Sequence, residues 1–201
     1  CKNSGFKQGC SQMYTAPINT TEDSLERVGG KGRSLAKMAR AGFAVPSGFL
    51  VTADTYRKFI KDNDLQATIL EMARPELRDG YPAFDNSAEK IKALILNTPI
   101  NAEIVEDIQK AYAGLQDASI PVAVRSSANA EDLPDFSFAG QQETFLNVRG
   151  RDEVVDAVRK CWASLWTAQA ISYRHQNGIG QGIVAMAVVV QIMVPSEVSG
   201  I

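Results

Sequence analysis

The chain has 201 residues, of which 45% are hydrophobic and 22% charged. That length holds one good-sized domain or two small ones, and the composition excludes disorder, collagen and coiled coil as descriptions of the whole. With 21 basic and 23 acidic residues the formal net charge is −2, so no overall field holds DNA or an anionic membrane, and any cationic site has to be local.

Residues 1–20 are polar, lack apolar periodicity and read as a loose N-terminal arm. Leu35, Met38 and Ala39 give residues 31–41 one apolar helical face, which Gly42 is placed to end. After the Pro46-Ser47-Gly48 turn, Phe49-Leu50-Val51 reads as a short strand. Thr52 can then cap a helix that buries Tyr56, Phe59 and Ile60. Another helix is expected over 65–73, then a loop over 75–87. Ser87 can cap a helix over 88–96, which must end before Pro99. Asn101 can cap the next helix, striped by Ile104, Val105, Ile108, Ala111 and Tyr112.

After Pro121 the pattern changes. Val122-Ala123-Val124 reads as a buried strand, followed by a polar loop over 126–138 and a second strand over 143–148. Helical spacing of Val154, Val155, Val158, Cys161, Trp162 and Leu165 runs through 151–173. A glycine turn leads to a strand over 183–193 that is apolar on both faces and therefore expected at the centre of its sheet. Helices first and an α/β half second predict an α+β domain.

The apolar run over 183–190 is far too short to span a bilayer, and no secretory signal is visible at the start. Three cysteines (Cys1, Cys10 and Cys161) cannot form an even disulfide framework, and none has Cys-x-x-Cys spacing. The expectation is a reduced, cytoplasmic protein with a buried thiol. A lone histidine, His175, removes multi-histidine zinc sites and argues against a histidine-based triad.

Three stretches carry candidate chemistry. Gly29-Gly30-Lys31-Gly32 precedes a helix, where backbone N–H groups and a lysine can meet phosphate. It is not a Walker A loop, because Leu25 stands where that motif needs glycine. Taken alone, it reads sooner as a helix-start turn with a solvated lysine. In Val124-Arg125-Ser126-Ser127, an arginine at the rim of a buried strand offers a planar donor fork to phosphate oxygens. The long segment that follows suits a binding loop or lid over a ligand, with Phe136 and Phe138 fitting badly in a solvated excursion. Gln191 is polar inside an apolar strand, so its amide must find either neighbouring backbone or a ligand edge. Glu131 and Asp132 are adjacent in a loop and have no fixed geometry for catalysis.

Taken in this order and separation, the stretches resemble the ATP-binding domain of the phosphoenolpyruvate synthase and pyruvate phosphate dikinase family, shared with rifampin phosphotransferase. The resemblance runs from Val28-Gly29-Gly30-Lys31-Gly32 through Gly48-Phe49-Leu50-Val51-Thr52 and the run VAVRSSANAEDLPDFSFAGQQETFLNV. It continues through Cys161-Trp162-Ala163-Ser164-Leu165 to Val188-Val189-Val190-Gln191-Ile192-Met193-Val194. It departs at Asn129, usually threonine, and at Phe136, usually a small residue.

The resemblance implies the first lobe of an ATP-grasp fold over residues 21–201, with helices in the N-terminal half and a mixed sheet with helices in the C-terminal half. It further implies that Lys31 and Arg125 neutralise the triphosphate as the catalytic pair. The backbone at Ala139-Gly140 would cradle the terminal phosphate with Thr144 nearby, and Gln191, Met193 and Val194 would face the adenine. No metal ligand is expected within the 201 residues. Magnesium ligands, a phosphohistidine domain and a pyruvate site are expected beyond Ile201, so the chain alone is expected to be inactive. The acceptor expected is pyruvate. Trp162 and the Gln176-Asn177-Gly178 turn lean instead toward an antibiotic acceptor, and a non-catalytic nucleotide-binding module is the third reading. Neither nucleic acid nor membrane is expected as a partner.

Overall fold

The computed structural model describes residues 14–117, 119–128 and 143–195. In chain order the elements are β1 (Thr15–Pro17), α1 (Leu25–Arg40), β2 (Gly48–Val51), α2 (Ala53–Asp62), α3 (Leu65–Met72), β3 (Glu76–Arg78), β4 (Tyr81–Ala83), α4 (Asp85–Asn97) and α5 (Ala102–Ala113). They continue with β5 (Val122–Ala128), β6 (Thr144–Val148), α6 (Arg151–Ser164), α7 (Ala168–Gln176) and β7 (Met186–Ile192).

Five strands form one sheet in the order β1-β2-β7-β5-β6, and β3 pairs with β4 separately. Every pairing in the five-stranded sheet is antiparallel, which corrects the expected mixed sheet. The reason lies in the connections. β6 folds back along β5, and after α6 and α7 the chain returns as β7 on the other side of β5, again running against it. β7 is the middle strand and is buried over most of its length, as its two apolar faces require.

The sheet has two covered faces. Val122 and Val124 of β5, with Val188 and Val190 of β7, join the larger core, built with Phe59, Ile91, Ile108, Val158, Trp162 and their neighbours from α2 to α7. On the opposite face Val28 of α1 packs with Leu50, Val189, Ala16 and Ile18 in a smaller core. Each half of the sequence thus supplies strands to one sheet, and among the described helices α1 covers the face that carries Val189.

Several expected boundaries move. Residues 15–17, expected in a loose arm, form β1 and pair with β2; Asp107 accepts hydrogen bonds from the Tyr14 and Thr15 amides and the Thr15 hydroxyl. The expected loop over 75–87 contains the β3–β4 hairpin. Asp79 (φ 52°) and Gly80 (φ 83°) make its two-residue turn, whose positive φ values match the twist of a tight hairpin. α4 starts at Asp85, so Ser87 is inside the helix, buried, with its hydroxyl donating to the Arg74 carbonyl. The single helix expected over 151–173 is two, because Thr167 starts a new one by accepting the Ala170 amide at its hydroxyl. β5 extends to Ala128 and so takes in the first three residues of the expected loop. β7 begins at Met186 rather than 183, and Ile183 is exposed.

Trp162, read as leaning toward an antibiotic acceptor, is fully buried and stacks on Phe59 with ring centroids 5.1 Å apart. It is a core residue in the structure and carries no information about the acceptor.

Candidate nucleotide site

The site is built where α1 meets the C-terminal end of β5. Ser24 starts α1, its carbonyl accepting the Arg27 and Val28 amides. The helix is interrupted at Gly29, whose φ of 67° and ψ of 176° are non-helical. Positive φ strains a residue with a Cβ, so glycine fits here. From Gly30 the helix restarts, and its first amides need partners outside it.

Ser127 supplies one. Its fully buried hydroxyl accepts the Gly32 amide at 3.1 Å and donates to the Val28 carbonyl at 2.9 Å, bridging the interruption. Lys31 adds a second tie, its Nζ donating to the Ser126 carbonyl at 2.9 Å across 95 positions of sequence.

Arg125 stands beside that carbonyl. It is half-buried and pairs with Val189 of β7 and Thr144 of β6. Because Val189 belongs to the smaller core, strand alternation puts Arg125, Ala123 and Ser127 on the α1 side of the sheet. Thr144, directly across from Arg125, projects on the same side and is exposed. Lys31, Arg125 and Thr144 therefore gather at one place.

Gln191 pairs with Ala123, two residues back along β5 from Arg125 and so about 7 Å away on the same face. Its side-chain amide donates to the Pro46 carbonyl at 3.1 Å, so neighbouring backbone takes that donor, as one of the two readings of the sequence had it. Farther along, the Met193 amide donates to the Pro121 carbonyl at 2.9 Å, and Val194 is exposed. These two lie past the end of β7, apart from the Lys31 group and toward the opposite end of β5. Gly140, with Asn129, Glu131, Asp132, Phe136 and Phe138, lies outside the described residues.

Sequence reasoning did not find Ser127 as the bridge. The signal available was a pair of hydroxyl residues closing an apolar strand, but nothing local says which backbone groups they meet. Behind the site, Cys161 of α6 is a buried free thiol. Burial pushes its pKa up, Glu143 adds to the rise and Lys31 opposes it, so the thiol stays protonated and is not a nucleophile.

Among the described residues no group of three or more His, Cys, Asp and Glu side chains could hold a metal ion. No helix among them is long and apolar enough to cross a membrane.

Residues 25–201 match the family model described as pyruvate phosphate dikinase, AMP/ATP-binding domain. The chain is similar to a probable phosphoenolpyruvate synthase of Methanothermobacter thermautotrophicus, 44% identical over 184 residues that cover 90% of this chain and 27% of the relative. It is also similar to the phosphoenolpyruvate synthase of Aeropyrum pernix, with 43% identity over 90% of this chain and 23% of the relative. A probable phosphoenolpyruvate synthase of Archaeoglobus fulgidus is 45% identical over 94% of this chain and 25% of its own length. The chain thus spans about a quarter of the length of these curated relatives.

Proposed function

The chain belongs to the pyruvate phosphate dikinase AMP/ATP-binding domain family, and from that premise we propose that it is the first lobe of an ATP-grasp nucleotide site in a pyruvate, water dikinase. The observation that carries this reading is the family match over residues 25–201, together with relatives named phosphoenolpyruvate synthase. ATP is the ligand. In the whole protein its phosphoryl group passes to a carrier histidine on another domain and then to pyruvate. The balance is ATP, pyruvate and water in, and AMP, phosphoenolpyruvate and phosphate out.

In this reading Lys31 and Arg125 meet the phosphates, Arg125 through its planar fork and Lys31 as a point charge. Phosphoryl transfer depends on positioning and on neutralising spread charge more than on a protein nucleophile. Two cations meet at one strand, Lys31 anchored on the Ser126 carbonyl and Arg125 next to it, at mid-strand rather than at the expected rim because β5 runs on to Ala128, and they suit that demand. Gly140 and Thr144 would close on the terminal phosphate. Gln191, with Met193 and Val194, would line the adenine end, which agrees with the direction of β5 from Arg125 toward Val122. Gln191 would then present its amide oxygen, since its nitrogen is engaged by Pro46.

Magnesium is part of this reading, held by the triphosphate together with one or two carboxylates. A cytoplasmic, reducing compartment belongs to the same reading and is supported by the odd cysteine count.

The test uses the full-length protein with ATP and magnesium. Pyruvate should stimulate AMP formation in step with phosphoenolpyruvate. AMP formation indifferent to pyruvate, or transfer to another acceptor, would overturn the assignment of substrate. Failure of ATP to bind at all would overturn the site.

A further inference from the structure

We propose that Ser127 is a positioning residue for the phosphate site: it touches no nucleotide itself and sets the place of Lys31 by locking the interrupted start of α1 onto β5. The inference rests on the reading of Lys31 as a phosphate ligand. Its own evidence is geometric. The Ser127 hydroxyl bonds on both sides of the Gly29 interruption, donating to the Val28 carbonyl before it and accepting from the Gly32 amide after it. Lys31 lies between those two residues, so its backbone is held from both flanks.

Close packing makes the lock specific. A Cβ on residue 29 would lie 2.2 Å from the Ser127 carbonyl oxygen and 2.4 Å from its hydroxyl oxygen, so β5 and the turn are in backbone contact. Ser127 is 0% exposed, so its hydroxyl meets its two backbone partners away from bulk solvent. Without it the Val28 carbonyl and the Gly32 amide lose a buried partner, and the turn can relieve that only by moving away from β5. Movement of the turn carries Lys31 off the end of β5. Arg125 is on the strand itself and stays in place.

The experiment is a double-mutant cycle on the full-length protein, read as equilibrium affinity for ATP and for adenosine. Ser127→Ala should weaken ATP by about tenfold, because the turn would move Lys31 away from β5 rather than leave the Val28 carbonyl and Gly32 amide unpaired, a penalty of the same order as a tenfold change. Lys31→Ala should weaken ATP at least as much, and the Lys31→Ala/Ser127→Ala protein should bind no more weakly than Lys31→Ala alone. Adenosine, which has no phosphates, should bind all four proteins alike. Fully additive losses would overturn the proposal, because Ser127 would then act independently of Lys31. Parallel loss of adenosine binding would overturn it too, by showing a general defect of the fold. If Lys31→Ala leaves ATP affinity unchanged, the phosphate reading of Lys31 fails and the proposal fails with it, a result the single variant reports separately.

Discussion

The guanidinium carbon of Arg174 lies 5.0 Å from the centroid of the Trp166 ring, inside the protein. Arg174 is only 2% exposed. Its Nε donates to the Gln181 side-chain oxygen at 2.6 Å and one terminal nitrogen donates to the Leu165 carbonyl at 2.9 Å. Burial lowers its pKa to about 10, still high enough to keep it charged at neutral pH. A cation is thus held by neutral acceptors and an aromatic face, just behind the α6–α7 break.

Arg174→Ala should lower the unfolding free energy by about 3 kcal/mol, from the cavity and the two acceptors left unpaired. Arg174→Met should cost less than Ala, because it refills the volume and has no charge to desolvate. Denaturant melts of both variants decide it. Equal losses would mean that the polar contacts, rather than the packed stem, hold the break together.

Gly29→Ala should destabilise by about 3 kcal/mol or more, through the positive φ and through overlap with β5. Gly42, also at positive φ, has nothing within 4 Å of the place its Cβ would take. Gly42→Ala should therefore cost only about 1 kcal/mol, the backbone share alone. Urea midpoints of the pair separate strain from collision.

Arg125→Ala should weaken ATP binding in the full-length protein by more than Arg125→Lys, and lysine should restore only part of the loss, because it lacks the planar fork. Titration of each variant with ATP gives the order. Full rescue by lysine would reduce the role of Arg125 to its charge.

Acid should destabilise the fold through identifiable carboxylates. Lys160 and then Arg159 hold Asp156 below the ordinary aspartate value of 3.8, and Arg40 does the same for Asp23. A carboxyl with a depressed folded pKa contributes stability above its unfolded value and loses that contribution as pH falls through the folded one. The melting temperature should therefore drop as pH goes from about 4 toward 2. Asp156→Asn should melt slightly lower at neutral pH and show a shallower acid slope. An unchanged slope would mean that Asp156 gains nothing from its two neighbours.

The sequence made the core legible wherever periodicity was strong. The stripe of Ile104, Ile108 and Tyr112 is buried as its spacing predicts, and β7 is central because both of its faces are apolar. The β3–β4 hairpin was missed although Asp79-Gly80 is a strong turn signal, because its strands are short and exposed, with no alternation to read. β1 was missed for a related reason, since three residues carry no period. Of the candidate site, Lys31 and Arg125 are legible from chemistry and Thr144 from resemblance, and the fold brings them together along β5, where Lys31 reaches the Ser126 carbonyl and Thr144 pairs with Arg125. Gln191 was legible only as a choice between two kinds of partner. Ser127 could not be read as a bridge, because what it bonds is decided by a tertiary contact across 99 positions.

The strand order has a consequence for the newly made chain. β2 and β5 do not pair with each other; each is joined to the sheet through β7, which follows the other four strands in chain order. Until Met186–Ile192 has emerged, β1–β2 and β5–β6 are two separate ribbons, each with an open edge of unpaired amides and carbonyls facing where the other will be. Such edges recruit whatever strand arrives first. Assembly is therefore a race between β7 and a neighbouring chain. A ribosome that stalls between Val148 and Met186 leaves both ribbons waiting for their shared partner, with those edges open to a neighbouring chain.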